Sequence, residues 1–152
     1  MSNKLIGVFG ASGFGREVMP LLRYQFLARD VKLVFVDDSP PAEMLNGYDV
    51  LSYTQFNERD AHEKSITIAI ADSRIRKQLT QRCLTDGVKI IDISADNVVK
   101  YDGVDIEEGS ILCSSVTITS NVKIGKSFHA NIYSYVAHDC VIGDFVTFAP
   151  SV

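Results

Sequence analysis

The chain has 152 residues, 46% of them hydrophobic and 22% charged, with a net charge of −4. That length holds one ordinary domain or two small ones, and no stretch concentrates Lys and Arg, which argues against a nucleic-acid or acidic-membrane partner. Cys83, Cys113 and Cys140 are odd in number and lack metal-ligand spacing, so reduced thiols, a cytoplasmic setting and no metal site are expected, while the apolar run Leu5 to Phe9 is too short for a signal-peptide core and no run approaches a membrane span.

In chain order, "KLIGVFG" reads as a buried strand and "GREVMPLLRYQFLA" as a helix. Between them lies a loop with Gly10, Gly13 and Gly15, spaced G-x-x-G-x-G and including Ser12 and Phe14. Glycine lets the chain turn sharply and brings backbone N–H groups close to phosphate oxygens at a helix N-terminus. The spacing differs from the G-x-G-x-x-G dinucleotide fingerprint, which counts against a nicotinamide oxidoreductase; a tight strand–helix turn without ligand is the plain alternative. "VKLVFVDD" is a second strand, ending on Asp37 and Asp38, where a carboxylate accepts hydrogen bonds from a base or ribose or simply closes an acidic turn. "YDVLSY" is a short strand. "SITIAIAD" is another, followed by the helix "SRIRKQLTQRCLTDG", capped by Asp72 or Ser73 and ended by Gly87. Arg76 on that helix is a phosphate ligand or a solvated residue. "VKIIDIS" makes one more strand. This alternation predicts a Rossmann-like parallel sheet with helices on its faces, over residues 1–97.

From about residue 98 the period changes. Every sixth residue from Ile106 is apolar: Ile106, Leu112, Ile118, Ile124, Ala130, Val136, Ile142 and Phe148. Chance would give this in one fixed register about once in five hundred tries. A second row four residues on (Ser110, Val116, Val122, Phe128, Ser134, Cys140, Val146, Val152) is small or apolar. The period predicts a hexapeptide β-helix over 98–152, a three-sided coil of short parallel strands. In that register His138 falls at a corner and projects outward, and Cys140 points inward as packing. His129 falls half a coil from His138 and does not meet it within one chain.

With "GASGFGREV", "FVDD", "AIADSRIRKQL" and "NIYSYVAHDCVIGDFVTFAPSV", the chain resembles the bacterial sugar O- and N-acyltransferases that join a small Rossmann-like domain to a left-handed β-helix. The resemblance covers nearly the whole chain, although such proteins carry further coils beyond this point. It implies a homotrimer with acetyl-CoA as co-substrate, bound along the coils between neighbours, and an acceptor such as a UDP- or dTDP-linked amino-deoxy sugar. It assigns the glycine loop, Asp37 and Asp38 to the nucleotide sugar, with Asp72 and Arg76 as further candidates beside it. His138 becomes the general base and Asp139 a candidate to orient it. Adjacent residues on a plain strand face opposite ways, so Asp139 serves only if the corner breaks the alternation or if it acts across a subunit boundary. Thr147 stands where many relatives have a histidine that contacts the acetyl carbonyl, and its hydroxyl is expected to donate one hydrogen bond to the acetyl group in its place; Asn131 is a polar neighbour without a firm role. O-acetylation of a sugar hydroxyl and a non-catalytic nucleotide-sugar-binding module are the rival readings.

Overall fold

Alternate residues of two adjacent strands divide the first part of the chain into two cores. In the computed structural model, which describes residues 4–152, this part comprises β1 (Lys4–Phe9), α1 (Gly13–Gln25), β2 (Lys32–Val36), β3 (Met44–Leu45), β4 (Tyr48–Leu51), α2 (Tyr53–Glu58), β5 (Glu63–Ile68), α3 (Ser73–Thr85) and β6 (Lys89–Ile90). The sheet order is β3-β4-β2-β1-β5-β6, parallel except for the β3–β4 pair. Ile6, Val8 and Phe35 enter one core with Val18, Met19 and Leu22 of α1. Leu5, Phe9, Val34 and Val36 enter the other with Tyr53 and Phe56 of α2 and Cys83 of α3. This is the period-two alternation of strands buried on both faces.

Two local features escaped the sequence pattern. Helix α2 is opened by a capping box in which Ser52 Oγ accepts from the Gln55 N–H (3.1 Å) and Gln55 Oε1 accepts from the Ser52 N–H (2.8 Å). The S-x-x-Q signal was present in the sequence. "VKIIDIS" is not one strand. Its first half is β6, at the edge of the Rossmann-like sheet, and its second half, β7 (Ile93–Ser94), pairs with a strand of the β-helix. Gln25 at the end of α1 clamps the break, donating to Asp92 O (2.9 Å) and accepting from the Ser94 N–H (3.2 Å).

Nine further two-residue strands complete a left-handed parallel β-helix: β8 (Val99–Lys100), β9 (Asp105–Ile106), β10 (Ile111–Leu112), β11 (Thr117–Ile118), β12 (Lys123–Ile124), β13 (His129–Ala130), β14 (Tyr135–Val136), β15 (Val141–Ile142) and β16 (Thr147–Phe148). They form three faces: the first from β7, β10, β13 and β16, the second from β8, β11 and β14, the third from β9, β12 and β15. Leu112, Val116, Ile118, Val122, Ile124, Phe128, Ala130 and Val136 are buried in the prism, with Ile106, Cys140, Ile142, Val146 and Phe148 packed against them. Both expected rows therefore point inward, apart from the exposed Val152.

The corners have their own period. Gly103, Gly109, Ser115, Asn121, Ser127, Tyr133, Asp139, Phe145 and Ser151 all have φ between 56° and 89°. From Asn121 onward each of these N–H groups donates to a carbonyl nineteen residues earlier, as Asp139 does to Ser120 O at 3.0 Å. The two domains also share a core. Ile93, Ile111 and Cys113 on the outer side of the first face are buried against Val8, Ala11, Val18 and Leu22.

Candidate active site

Strand β1 lies between β2 and β5, so the chain leaves it toward one side and returns on the other. Loops at the carboxyl ends of strands at such a reversal frame the usual ligand crevice of an open α/β sheet. Here they are Gly10–Gly15 and Ala69–Asp72, which meet where Gly10 lies against Ala69 O.

Two of the three loop glycines are required by the fold. Gly10 has φ +114° and lies close to Ala69 O, while a Cβ on Gly15 would come 1.7 Å from Gly10 O. That close approach lets α1 start directly over the turn. A Cβ on Gly13 would meet nothing nearer than the Arg16 guanidinium at 3.9 Å. Ser12 is exposed and its side chain makes no cap hydrogen bond, leaving the start of a thirteen-residue helix open. Phe14 turns the other way, its ring centroid 5.3 Å from that of His129 on the first face of the prism. Its side chain is spent on packing between domains, and only its backbone remains for a ligand.

The carboxylates expected at the nucleotide are already engaged. Asp37 accepts from the N–H groups of Ala11 (3.0 Å) and Ser39 (2.9 Å) and so ties the glycine loop to the end of β2. Asp38 accepts from the Tyr53 N–H and pairs with Arg82, both at 2.9 Å. Partial burial opposes its ionisation, but these two donors outweigh it and hold the carboxyl below its ordinary range. Asp72 caps α3, accepting from the Ile75 and Arg74 N–H groups, and these bonds lower its pKa.

Arg76 is neither a surface phosphate ligand nor a solvated residue: it is fully buried. Its guanidinium donates to Ile70 O (2.8 Å), Ala71 O (3.1 Å), Ser127 Oγ (3.2 Å), Thr147 Oγ1 (2.9 Å), Phe145 O (2.7 Å) and Val146 O (3.4 Å). Burial lowers its pKa to about 10, with Asp72 working in the opposite direction, so it stays charged. Thr147 Oγ1 in turn donates to Ala71 O (3.0 Å). A hydroxyl has one proton, so Thr147 has none left for an acetyl carbonyl. Arg74 and Lys77, by contrast, face open space and line a pocket of about 590 Å³ with Ala71, Ser73 and residues Asp144 to Thr147. Sequence reasoning passed over both, because only the docking of α3 on the prism creates that pocket.

His129 is buried and neither of its ring nitrogens has a hydrogen-bond partner. Burial, reinforced by the Arg76 charge, pushes its pKa down to about 3, so the ring is neutral and works as an aromatic spacer. Asn131 donates to Phe148 O (2.7 Å), a rung between coils.

His138 is exposed at the corner between the second and third faces, with Nδ1 2.7 Å from Asp139 Oδ2. The left-handed backbone of Asp139 (φ 60°) breaks the strand alternation and swings its carboxylate alongside the ring. A carboxylate on Nδ1 selects the tautomer that leaves the Nε2 lone pair free. This ridge is the one that does not border the first face, which the Rossmann-like domain covers. Within one chain the imidazole and the glycine loop thus lie on opposite sides of the prism.

Residues 5–83 match the family described as the PglD N-terminal domain. The chain is 46% identical, over 149 residues, to GDP-perosamine N-acetyltransferase of Escherichia coli O157:H7, an alignment covering 96% of this chain and 67% of that protein. The chain belongs to the bacterial sugar acetyltransferase family. Among solved structures of this family, WeeI from Acinetobacter baumannii AYE superposes with a TM-score of 0.93 at 54% identity, covering 97% of this chain and 70% of that one. The acetyltransferase domain of PglB from Neisseria gonorrhoeae FA1090, solved in complex with acetyl coenzyme A, gives 0.84 at 26% identity, over 99% of this chain and 72% of that domain. Family membership accounts for the pairing of a Rossmann-like domain with a β-helix prism.

Proposed function

We propose that the chain transfers an acetyl group from acetyl-CoA to the amine of a GDP-linked amino-deoxy sugar, in the cytoplasm, as a homotrimer. The observation that carries this reading is the 46% identity, across nearly the whole chain, to a GDP-perosamine N-acetyltransferase. It favours GDP over the UDP or dTDP expected from the sequence. The open N-terminus of α1, with Arg74 and Lys77, supplies positive potential for a diphosphate. His138 of one copy faces the acceptor held by its neighbour, because the two parts lie apart within a chain. Exposed Val99, Tyr133 and Tyr135, on or beside the second face, supply apolar area for that association.

In the reaction, His138 Nε2 takes a proton from the sugar amine as its nitrogen attacks the thioester carbonyl carbon. Asp139 accepts from Nδ1–H and stabilises the imidazolium that forms. The C–N bond forms, the C–S bond breaks, and the imidazolium returns the proton to the departing thiolate, giving the amide and free CoA thiol. Alignment of the two substrates supplies most of the acceleration and base catalysis a further factor on the order of 10² to 10⁴.

A thiol-release assay with GDP-, UDP- and dTDP-linked amino sugars and their hydroxy counterparts tests the reading. Turnover is expected with the GDP-linked amine. Turnover confined to hydroxyl acceptors, or to UDP or dTDP sugars, would overturn it. Sedimentation at a mass other than three copies would remove the shared site.

A further inference from the structure

Among the described residues Arg76 is the one permanently charged side chain that is fully buried, and the reaction does not use it. Its guanidinium is fully enclosed and, among the described residues, no salt bridge neutralises it. A buried charge without a counter-ion is expensive, and an apolar residue of similar volume often serves stability as well or better. What an apolar residue does not supply is the planar fork. One edge of the fork holds the Ile70 and Ala71 carbonyls, in the loop that frames the crevice. The Nη1 that does so also donates to Thr147 Oγ1, while Nε and Nη2 reach the prism at Ser127 Oγ and Phe145 O, and Thr147 closes the triangle by donating to Ala71 O.

We propose that Arg76 is a positioning residue which, with Thr147, seats the loop between β5 and α3 on the β-helix and so sets where the acceptor amine lies relative to the thioester. The idea rests on the acetyl-transfer reading. On the opposite side of the same crevice, the glycine loop has its own contact with the prism, Phe14 on His129. Both walls of the acceptor crevice therefore take their position from the prism that carries the transfer chemistry. In a site shared between copies, a shift of the loop on its own prism becomes a displacement of the amine from the neighbour's histidine.

The test uses whichever nucleotide sugar the wild-type chain acetylates. Thr147→Val keeps the shape and removes the hydroxyl; Thr147→Ser keeps the hydroxyl. In Thr147→Val, kcat is expected to fall on the order of ten- to a hundredfold, with the KM for acetyl-CoA unchanged and the protein folded well above the assay temperature. Thr147→Ser is expected to restore it. Arg76→Lys should lower kcat similarly, and the double variant Arg76→Lys/Thr147→Val should be no slower than the slower single variant, because the two act through one contact. A folded Thr147→Val enzyme with wild-type kcat overturns the proposal. So does a double variant whose losses multiply, since Thr147 would then act independently of Arg76. A wild-type chain inactive on every acceptor removes the acetyl-transfer reading and this inference with it, whereas an active wild type with unaffected variants removes the inference alone.

Discussion

The two domains reach left-handed backbone by opposite routes. In the Rossmann-like part, the residues with φ in that region are Gly10, Asn46, Gly47 and Gly87, residue types that adopt it at little cost. In the prism it recurs every sixth residue, and after Gly103 and Gly109 the positions hold Ser, Asn, Tyr, Asp and Phe. A side chain other than Asn or Asp costs about 1 kcal/mol there, yet Tyr133 and Phe145 accept it because their N–H groups are already committed to a carbonyl of the preceding coil. The lesson is that local residue choice makes the turns in one domain, while a repeating hydrogen-bond lattice imposes them in the other.

If that contrast is right, chemistry on the prism should be separable from its fold. His138→Ala is expected to lower turnover on the order of 10² to 10⁴-fold while calorimetry shows unchanged nucleotide-sugar binding. An equal loss of binding would mean that the corner is not independent of the crevice. The Rossmann-like domain should be far less tolerant. Gly15→Ala forces a Cβ to 1.7 Å from Gly10 O and should cost about 3 kcal/mol in urea denaturation, whereas Gly13→Ala, which meets open space, should leave stability unchanged or slightly raised.

The seam between the domains sharpens the comparison through pH. His129 is neutral in the folded chain, with its pKa lowered from 6.5 to about 3. Between those values the unfolded chain binds more protons, so this group's contribution to stability falls as pH falls. Between pH 7 and pH 5 the wild type should lose about 2 kcal/mol more than His129→Phe, read as a difference between two denaturation series. Equal slopes would show that the ring is hydrated and outside the shared core. The smallest effect belongs to the local signal in the first domain: Ser52→Ala removes the cap of α2 and should cost about 1 kcal/mol.

Legibility followed the same division. The prism was readable almost residue by residue, because a fixed period repeats the same burial constraint along every coil, and only Val152 leaves its row. The Rossmann-like strands and the caps of α3 were readable from alternation and from Asp72. Helix α2 was missed because Tyr53 and Phe56 give too short a run to show a helical period, and the split of "VKIIDIS" because a single apolar run serves two sheets. Site residues divide by what their chemistry depends on. Register placed His138 at an outward corner, the resemblance offered it with Asp139 as the catalytic pair, and the corner geometry that joins them was named as a condition. Arg76, Phe14 and Thr147 were placed at the ligand, but their side chains are spent joining the domains, in contacts between segments more than seventy residues apart in sequence that no local pattern announces.

The stacked coils also make each ridge a graduated scale. Asp102, Ser120 and His138 occupy equivalent places on successive laps, eighteen residues apart, and each lap advances the column by one strand spacing, about 4.8 Å. A side chain carried on such a column changes height only in whole steps of that size. Evolution can relocate its reactive nitrogen by a full rung or leave it where it is, but fine adjustment of reach has to come from the loops of the other domain.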